Sequence, residues 1–299
     1  MASLVTIRIL NLRRIKVLHL EPTDVCQAAC PLCARETDPA FNKKQQHHLT
    51  ILHIQKHFSD RVIAGLDKVF MCGTYGDPAA AKYTMDIYRW VRQLNPVITL
   101  GMNTNGAIQN TFWWHELGRM FNQPRDYVVF SIDGLEDTNA NYRRGVDWHK
   151  LMSNVDAYIS AGGSAHWDML VYQHNQHQVE ECEQLARNMG FSWFRAKVSR
   201  RVLSNSNLQT PTGWQMPVTG KGPIQCHVLK EKSAYIDAQG RLSPCCWLGG
   251  SQNNIITDIK QVQTTWKSST PNSTCQSACG TTDLQTSFSS QWQKEVELV

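Results

Sequence analysis

The sequence predicts an α/β protein, a partial barrel of six parallel βα units followed by a small cysteine-rich C-terminal domain. Two observations carry this reading. Short apolar runs alternate with longer amphipathic segments through residues 15–200, the pattern of repeated βα units and a mainly parallel sheet. From about residue 204 the chain turns polar, and five of its ten cysteines fall after Gln225.

Taken in order, Ile15–Leu20 reads as the first strand and is followed at once by a loop holding Cys26, Cys30 and Cys33. A helix is expected over Leu49–Phe58 and a second strand over Lys68–Cys72. In the next segment Tyr83, Ile87, Val91 and Leu94 recur near helical spacing and predict one buried stripe. Val97–Met102, Tyr127–Ile132, Trp167–Tyr172 and Phe191–Lys197 are the remaining strands. The helices between them span Phe112–Phe121, Leu151–Ile159 (stopped by Gly162-Gly163) and the stretch carrying Val179, Cys182, Leu185, Ala186 and Met189 before Gly190. A closed eightfold barrel takes about 250 residues, so six units imply an open, TIM-type (β/α)6 barrel. Ser204–Gly222 has the Ser, Asn, Thr, Pro and Gly content of a linker, and Ser251–Thr286 is polar, so the expected domains are 1–205 and 206–299.

Composition excludes several classes. A charge of +5 without a Lys/Arg block does not point to nucleic acid. No run of about 18 apolar residues predicts a membrane span, and Met1–Leu20 lacks the apolar core of a secretion signal. Ten clustered cysteines with no export signal fit metal-binding thiols in a reducing cytoplasm better than disulfides.

Cys26-x₃-Cys30-x₂-Cys33 is the strongest chemical signal. A cubane [4Fe–4S] cluster takes four thiolates; three in one tight loop leave one iron open to a substrate or cofactor. A zinc site or three packed cysteines is the plainer alternative, although zinc sites usually pair C-x₂-C with distant ligands. Further turns follow successive strands: Gly73-Thr74-Tyr75-Gly76-Asp77-Pro78, Asn103-Thr104-Asn105-Gly106, and Ser131-Ile132-Asp133-Gly134 with Tyr142-Arg143. Each is chemically an ordinary Gly/Asn/Asp turn. In the tail, Cys226 is followed by Gly240 and Cys245-Cys246, then by Cys275-x₃-Cys279.

In this order and spacing the motifs resemble the radical S-adenosylmethionine (SAM) superfamily, whose signature is C-x₃-C-x-φ-C with φ apolar, here Leu32. The resemblance implies that Cys26, Cys30 and Cys33 hold a [4Fe–4S] cluster. Its open iron chelates SAM, and an electron passed through the cluster cleaves SAM to methionine and a 5′-deoxyadenosyl radical. Gly76 and Asp77 stand in a Gly-Gly-Glu-Pro-like motif that holds the SAM amino group; Tyr75 replaces its first Gly and Asp77 its Glu. Asn105 lies in the "TNG" segment, Ser131 would face the SAM ribose, and Arg143 would pair with the SAM carboxylate.

The tail is similar to SPASM and twitch domains, implying one auxiliary [4Fe–4S] cluster on Cys226, Cys245, Cys275 and Cys279. Cys246 is an alternative to Cys245, or else a thiol hydrogen donor. A Cys₄ zinc knuckle is the plain structural alternative. The implied partners are an external one-electron donor of flavodoxin or ferredoxin type and a peptide or small-molecule substrate. The implied reaction is hydrogen abstraction from a C–H bond, leading to oxidation, cross-linking or thiol-assisted epimerisation. A non-enzymatic zinc or iron–sulfur protein is the reading from another class. Cys72, Cys182, His47-His48, His174 and His177 are expected to be structural or superficial, with Asp24 orienting the cysteine loop.

Overall fold

The computed structural model describes residues 15–199, 201, 206, 208–213, 222–249 and 259–280. The expected boundary at 205, most of the expected linker and the polar stretches 251–258 and 281–286 lie outside them. Eight strands form one sheet: β1 (Val17–Leu20), β2 (Lys68–Met71), β3 (Thr99–Thr104), β4 (Tyr127–Ser131), β5 (Ala165–Val171), β6 (Trp193–Val198), β7 (Ser233–Ile236) and β8 (Leu242–Ser243). Their order is β6-β5-β4-β3-β2-β1-β7-β8. The first seven run parallel; β8 is antiparallel to β7. The sheet does not close. β6 forms one edge and is half-buried along its length.

The two faces of the sheet differ in chemistry because successive strand residues point to opposite sides. Leu18, Leu20, Val69, Met71, Leu100, Met102, Val128, Phe130, Trp167 and Met169 face outward into one apolar core under the helices. His19, Phe70, Gly101, Tyr127, Val129, His166 and Trp193 have the opposite parity and line the inner face. The helix Thr84–Leu94 buries Thr84, Ile87, Tyr88 and Val91, a helical repeat of one face. The expected stripe through Tyr83 is therefore corrected: Tyr83 is 40% exposed. Tyr88 takes its place because its hydroxyl donates to the Gly101 carbonyl at 2.7 Å. Trp114 packs fully buried between helix and sheet.

The compositional change near residue 205 does not break the sheet. β7 pairs with β1 in register, Val17 with Ser233 through Leu20 with Ile236. The tail also has a small core of its own, built from Val228, Cys245, Leu248, Ile259, Val262 and Cys275. Among the described residues no helix is long and apolar enough to cross a membrane.

Candidate active site in the barrel mouth

The cysteine loop leaves the carboxyl end of β1 and is tied down from three directions. Asp24 accepts from the His47 amide at 2.8 Å and pairs with His47 Nδ1 at 2.6 Å. His47, expected at the surface, is thus half-buried against the loop. From the turn after β2, Asp77 donates its amide to the Val25 carbonyl at 2.9 Å, and Arg35, just past the loop itself, donates to the Asp24 and Tyr75 carbonyls. From the segment after β4, the Arg144 carbonyl accepts from the Ala29 amide at 2.8 Å.

The Gly73–Pro78 turn is packed backbone to backbone. A methyl group on Gly76 would stand 2.0 Å from the Thr23 carbonyl oxygen, and one on Gly73 2.0 Å from that of Gly76. Gly76→Ala should therefore push the turn off the cysteine loop and lower stability by about 1–3 kcal/mol. Chemical denaturation and iron content after reconstitution check this; unchanged values for both would refute the contact.

Asp77, Asn105 and Cys26 form one hydrogen-bonded unit. Asp77 caps the short turn Pro78–Ala80, accepting from the Ala79 amide at 2.9 Å. The same carboxylate accepts from the Thr104 hydroxyl at 2.8 Å, the Asn105 amide at 2.7 Å and Asn105 Nδ2 at 2.8 Å. Asn105 Nδ2 also lies 3.6 Å from Cys26 Sγ, and Gln27 donates to Asn105 Oδ1 at 2.7 Å. Both Asp77 oxygens are thus engaged within the chain, where they fix the turns after β2 and β3 against the cysteine loop. Burial pushes the Cys26 thiol up to about 12, and the nearby Asp77 adds to the rise.

Arg143 takes a different position from Asp77. It follows the helix Glu136–Tyr142 and donates Nε to Asp133 Oδ2 at 2.6 Å, with the Asp133 side chain fully buried. It also hydrogen-bonds the Cys30 thiol: burial raises that thiol, and Arg143 opposes the rise. Arg143 is the chain's own counter-charge for a thiolate at Cys30. Ser131 ends β4 beside Asp168 of β5.

Glu21, missed in the sequence, joins three segments. It accepts from the Thr74 amide at 2.9 Å and the Tyr75 amide at 2.7 Å, and from the Tyr235 hydroxyl of β7. Burial raises its pKa from the ordinary 4.5 to about 7, although Tyr235 and the two amides pull it down. The folded chain therefore holds more protons than the unfolded one between these values. Stability falls as pH rises through that window and levels off above it. Glu21→Gln keeps all three partners and removes the titration. Its melting temperature should decline less than wild type's from pH 5 to pH 7; equal slopes by calorimetry would sink this assignment.

The tail cysteines gather on a shallow cleft lined by Cys226, Cys245, Cys275 and Cys279 with Val228, Leu248 and Ile259. Cys275 and Cys279 lie on the helix Ser273–Cys279, capped by Asn272. There C-x₃-C spacing places both on one face. Gly240, at φ +76°, makes the β7–β8 turn. Cys246 stands outside the cleft lining: its thiol is pushed up to about 12 by burial, then by Cys72 and Glu21. The two adjacent cysteines thus face opposite ways, Cys245 to the cleft and Cys246 to the barrel. Cys72, expected as a packed thiol, follows β2 half-buried, and burial raises its thiol; Cys182 is packed in the helical core as expected.

Among the described residues no three His, Cys, Asp or Glu side chains converge on a single-ion site. A cubane takes one thiolate per iron and spaces them across its own width. The donor chemistry fits such groups: three thiols in one loop, two of them half-exposed, and four around an apolar cleft.

The chain is 25% identical to a GTP 3′,8-cyclase of Pectobacterium atrosepticum over 241 residues, covering 72% of this chain and 70% of that protein. To the Yersinia pestis enzyme of the same name it is 26% identical over 153 residues, 50% of this chain and 44% of the relative. The chain thus spans less than half the length of that second protein. Among solved structures, Streptococcus suis SuiB bound to precursor peptide SuiA aligns with a TM-score of 0.58 at 14% identity. That alignment covers 91% of this chain and 72% of SuiB. The structure of anSMEcpe with bound AdoMet aligns with a TM-score of 0.56 at 12% identity, over 77% of this chain and 71% of that one. These likenesses establish the open-barrel fold. The family model described as the Radical SAM superfamily matches residues 20–187, more than half of the chain and all three loop cysteines, so this protein is a member of the radical SAM superfamily.

Proposed function

We propose that this enzyme abstracts a hydrogen atom from a C–H bond of a peptide or small-molecule substrate held in the barrel mouth, with an auxiliary [4Fe–4S] cluster in the tail. The observation that carries the proposal is the pair of cysteine groups: three thiols on one loop at the barrel mouth, and four lining the tail cleft. Family membership overturns the non-enzymatic reading. SuiB, which binds the precursor peptide SuiA, favours a peptide substrate, whereas the GTP 3′,8-cyclases favour a nucleotide.

Cys26, Cys30 and Cys33 would hold the SAM-binding cluster, and Cys226, Cys245, Cys275 and Cys279 the auxiliary one. When bound, the first cluster and SAM supply the 5′-deoxyadenosyl radical by one-electron reduction from a flavodoxin- or ferredoxin-type donor. The chain does the positioning. Gly76 lets the turn after β2 approach the loop, Asp77 and Asn105 fix that turn beside Cys26, and Arg143 balances charge at Cys30. Ser131 and Arg143 are the proposed contacts for the SAM ribose and carboxylate.

A second reading, epimerisation, is favoured by Cys246, which faces the barrel and stays protonated at neutral pH. Its S–H bond would break as a C–H bond forms at the substrate radical. The resulting thiyl regains one electron from the external donor and one proton from solvent.

Anaerobic incubation of the reconstituted enzyme with SAM and dithionite should yield 5′-deoxyadenosine. Its absence, with candidate substrates present, would overturn the proposal. Wild type should carry about eight irons per chain; Cys245→Ala should fall to about four, while Cys246→Ala keeps about eight. If Cys246→Ala leaves product stereochemistry and yield intact, the hydrogen-donor role is gone.

A further inference from the structure

The tail cleft offers its four sulfurs hydrogen-bond donors and no charged side chain. Beside the cysteines, its polar lining consists of His227, Trp247, Trp266 and Thr274, with no Asp, Glu, Lys or Arg among the described residues. A cubane held by four thiolates carries net negative charge, and taking up an electron adds to it. In an apolar cleft without cations, that charge is balanced by hydrogen-bond donors or by solvent.

Donors are in place at each sulfur. His227 Nδ1 lies 3.8 Å from Cys279 Sγ, within reach of a hydrogen bond to sulfur. A thiolate only accepts, so the ring presents its N–H there. The Trp266 indole nitrogen is buried and completes no hydrogen bond among the described residues; its pull falls on Cys275, where it favours the thiolate. An indole N–H only donates, and a buried one normally finds an acceptor. The main chain serves the other two sulfurs, through the Val228 and Leu229 amides at Cys226 and the Trp247 and Leu248 amides at Cys245. Two of these donors, His227 and Trp266, are side chains that can be removed singly.

We propose that His227 and Trp266 are positioning residues that donate to the thiolates of Cys279 and Cys275 and raise the reduction potential of the cluster held in the tail. This rests on the reading above that the four cysteines hold a [4Fe–4S] cluster. Hydrogen bonds to the sulfurs stabilise the more negative, reduced state, and they are one of the levers that set such potentials. The cleft is thereby suited to a cluster that changes oxidation state, and not only to one that holds the tail together.

The test uses full-length reconstituted holoenzyme, titrated with dithionite and followed by electron paramagnetic resonance, with and without SAM. Two couples are expected, and the one that SAM leaves in place belongs to the tail. His227→Phe and Trp266→Phe each remove an N–H and keep a ring. Each should make reduction of the tail couple about tenfold less favourable, a fall of about 59 mV for one electron. His227→Asn, whose amide nitrogen can stand where Nδ1 stood, should retain most of the wild-type potential. The SAM-responsive couple should not move in any of the three, and iron should stay at about eight per chain. Three results would overturn the proposal. The first is a wild-type tail potential in both phenylalanine variants. The second is iron falling to about four in either of them, which makes that residue a ligand or a support of the fold. The third is His227→Asn shifting as far as His227→Phe, which assigns the effect to the ring and not to its N–H. Failure of the broader reading looks different and ends the proposal with it: wild type itself carries about four irons, or zinc in the tail, and shows no second couple.

Discussion

Cys30→Ala should reduce the reconstituted protein from about eight irons per chain to about four and abolish reductive cleavage of SAM. The loop holds three thiols for four irons, so it has no spare ligand to substitute. Cys30 is the most enclosed of the three and the one that Arg143 contacts. Cys26→Ala and Cys33→Ala should behave alike, because each removes one proposed ligand of the same cluster. Iron analysis and chromatography of 5′-deoxyadenosine provide the measurement. Wild-type turnover in any of the three variants would refute their assignment as ligands.

Arg143→Gln should be the most destabilising single change outside the ligands. It leaves the Asp133 carboxylate fully enclosed with no cation, its other oxygen accepting from the Leu170 amide at 2.6 Å. Removing one partner of a buried ion pair costs about 3–5 kcal/mol, which corresponds to a fall in melting temperature of roughly 10 °C. Burial already raises Asp133 despite Arg143. Without the cation the carboxyl rises further, so the loss should shrink as pH is lowered and the group becomes neutral. The double variant Arg143→Gln/Asp133→Asn should recover much of the stability, since the orphaned charge is gone. Recovery of stability without recovery of SAM affinity would separate the structural ion pair from the proposed contact with the SAM carboxylate. A single variant as stable as wild type would show that the ion pair contributes nothing.

The six core strands were legible because each is a short apolar run bounded by polar turns, and their observed limits lie within about two residues of the expected ones. The helix Glu136–Tyr142 was not legible. Its sequence, Glu-Asp-Thr-Asn-Ala-Asn-Tyr, has no apolar stripe, and it is held instead by polar contacts such as Asn139 Oδ1 accepting from the Asp133 amide at 2.9 Å. That helix delivers Arg143 to Cys30 and Asp133. The pairing of β7 with β1 was equally hidden, because strands more than 200 residues apart leave no local signature of their partnership. The same applies to Glu21 and Tyr235, which meet across that junction.

By itself the sequence determined the order of strands and helices, the cysteine spacings and the likeness to a family. All of these follow from residues close together in the chain, where periodicity and turn chemistry act. Only the tertiary structure decided which way Cys245 and Cys246 face, that Asp77 serves the chain's own turns, and that Arg195 and Lys197 share the Asp168 carboxylate. Those outcomes depend on which distant groups share a buried volume, where the cost of an unpaired charge or hydrogen-bonding atom selects the arrangement.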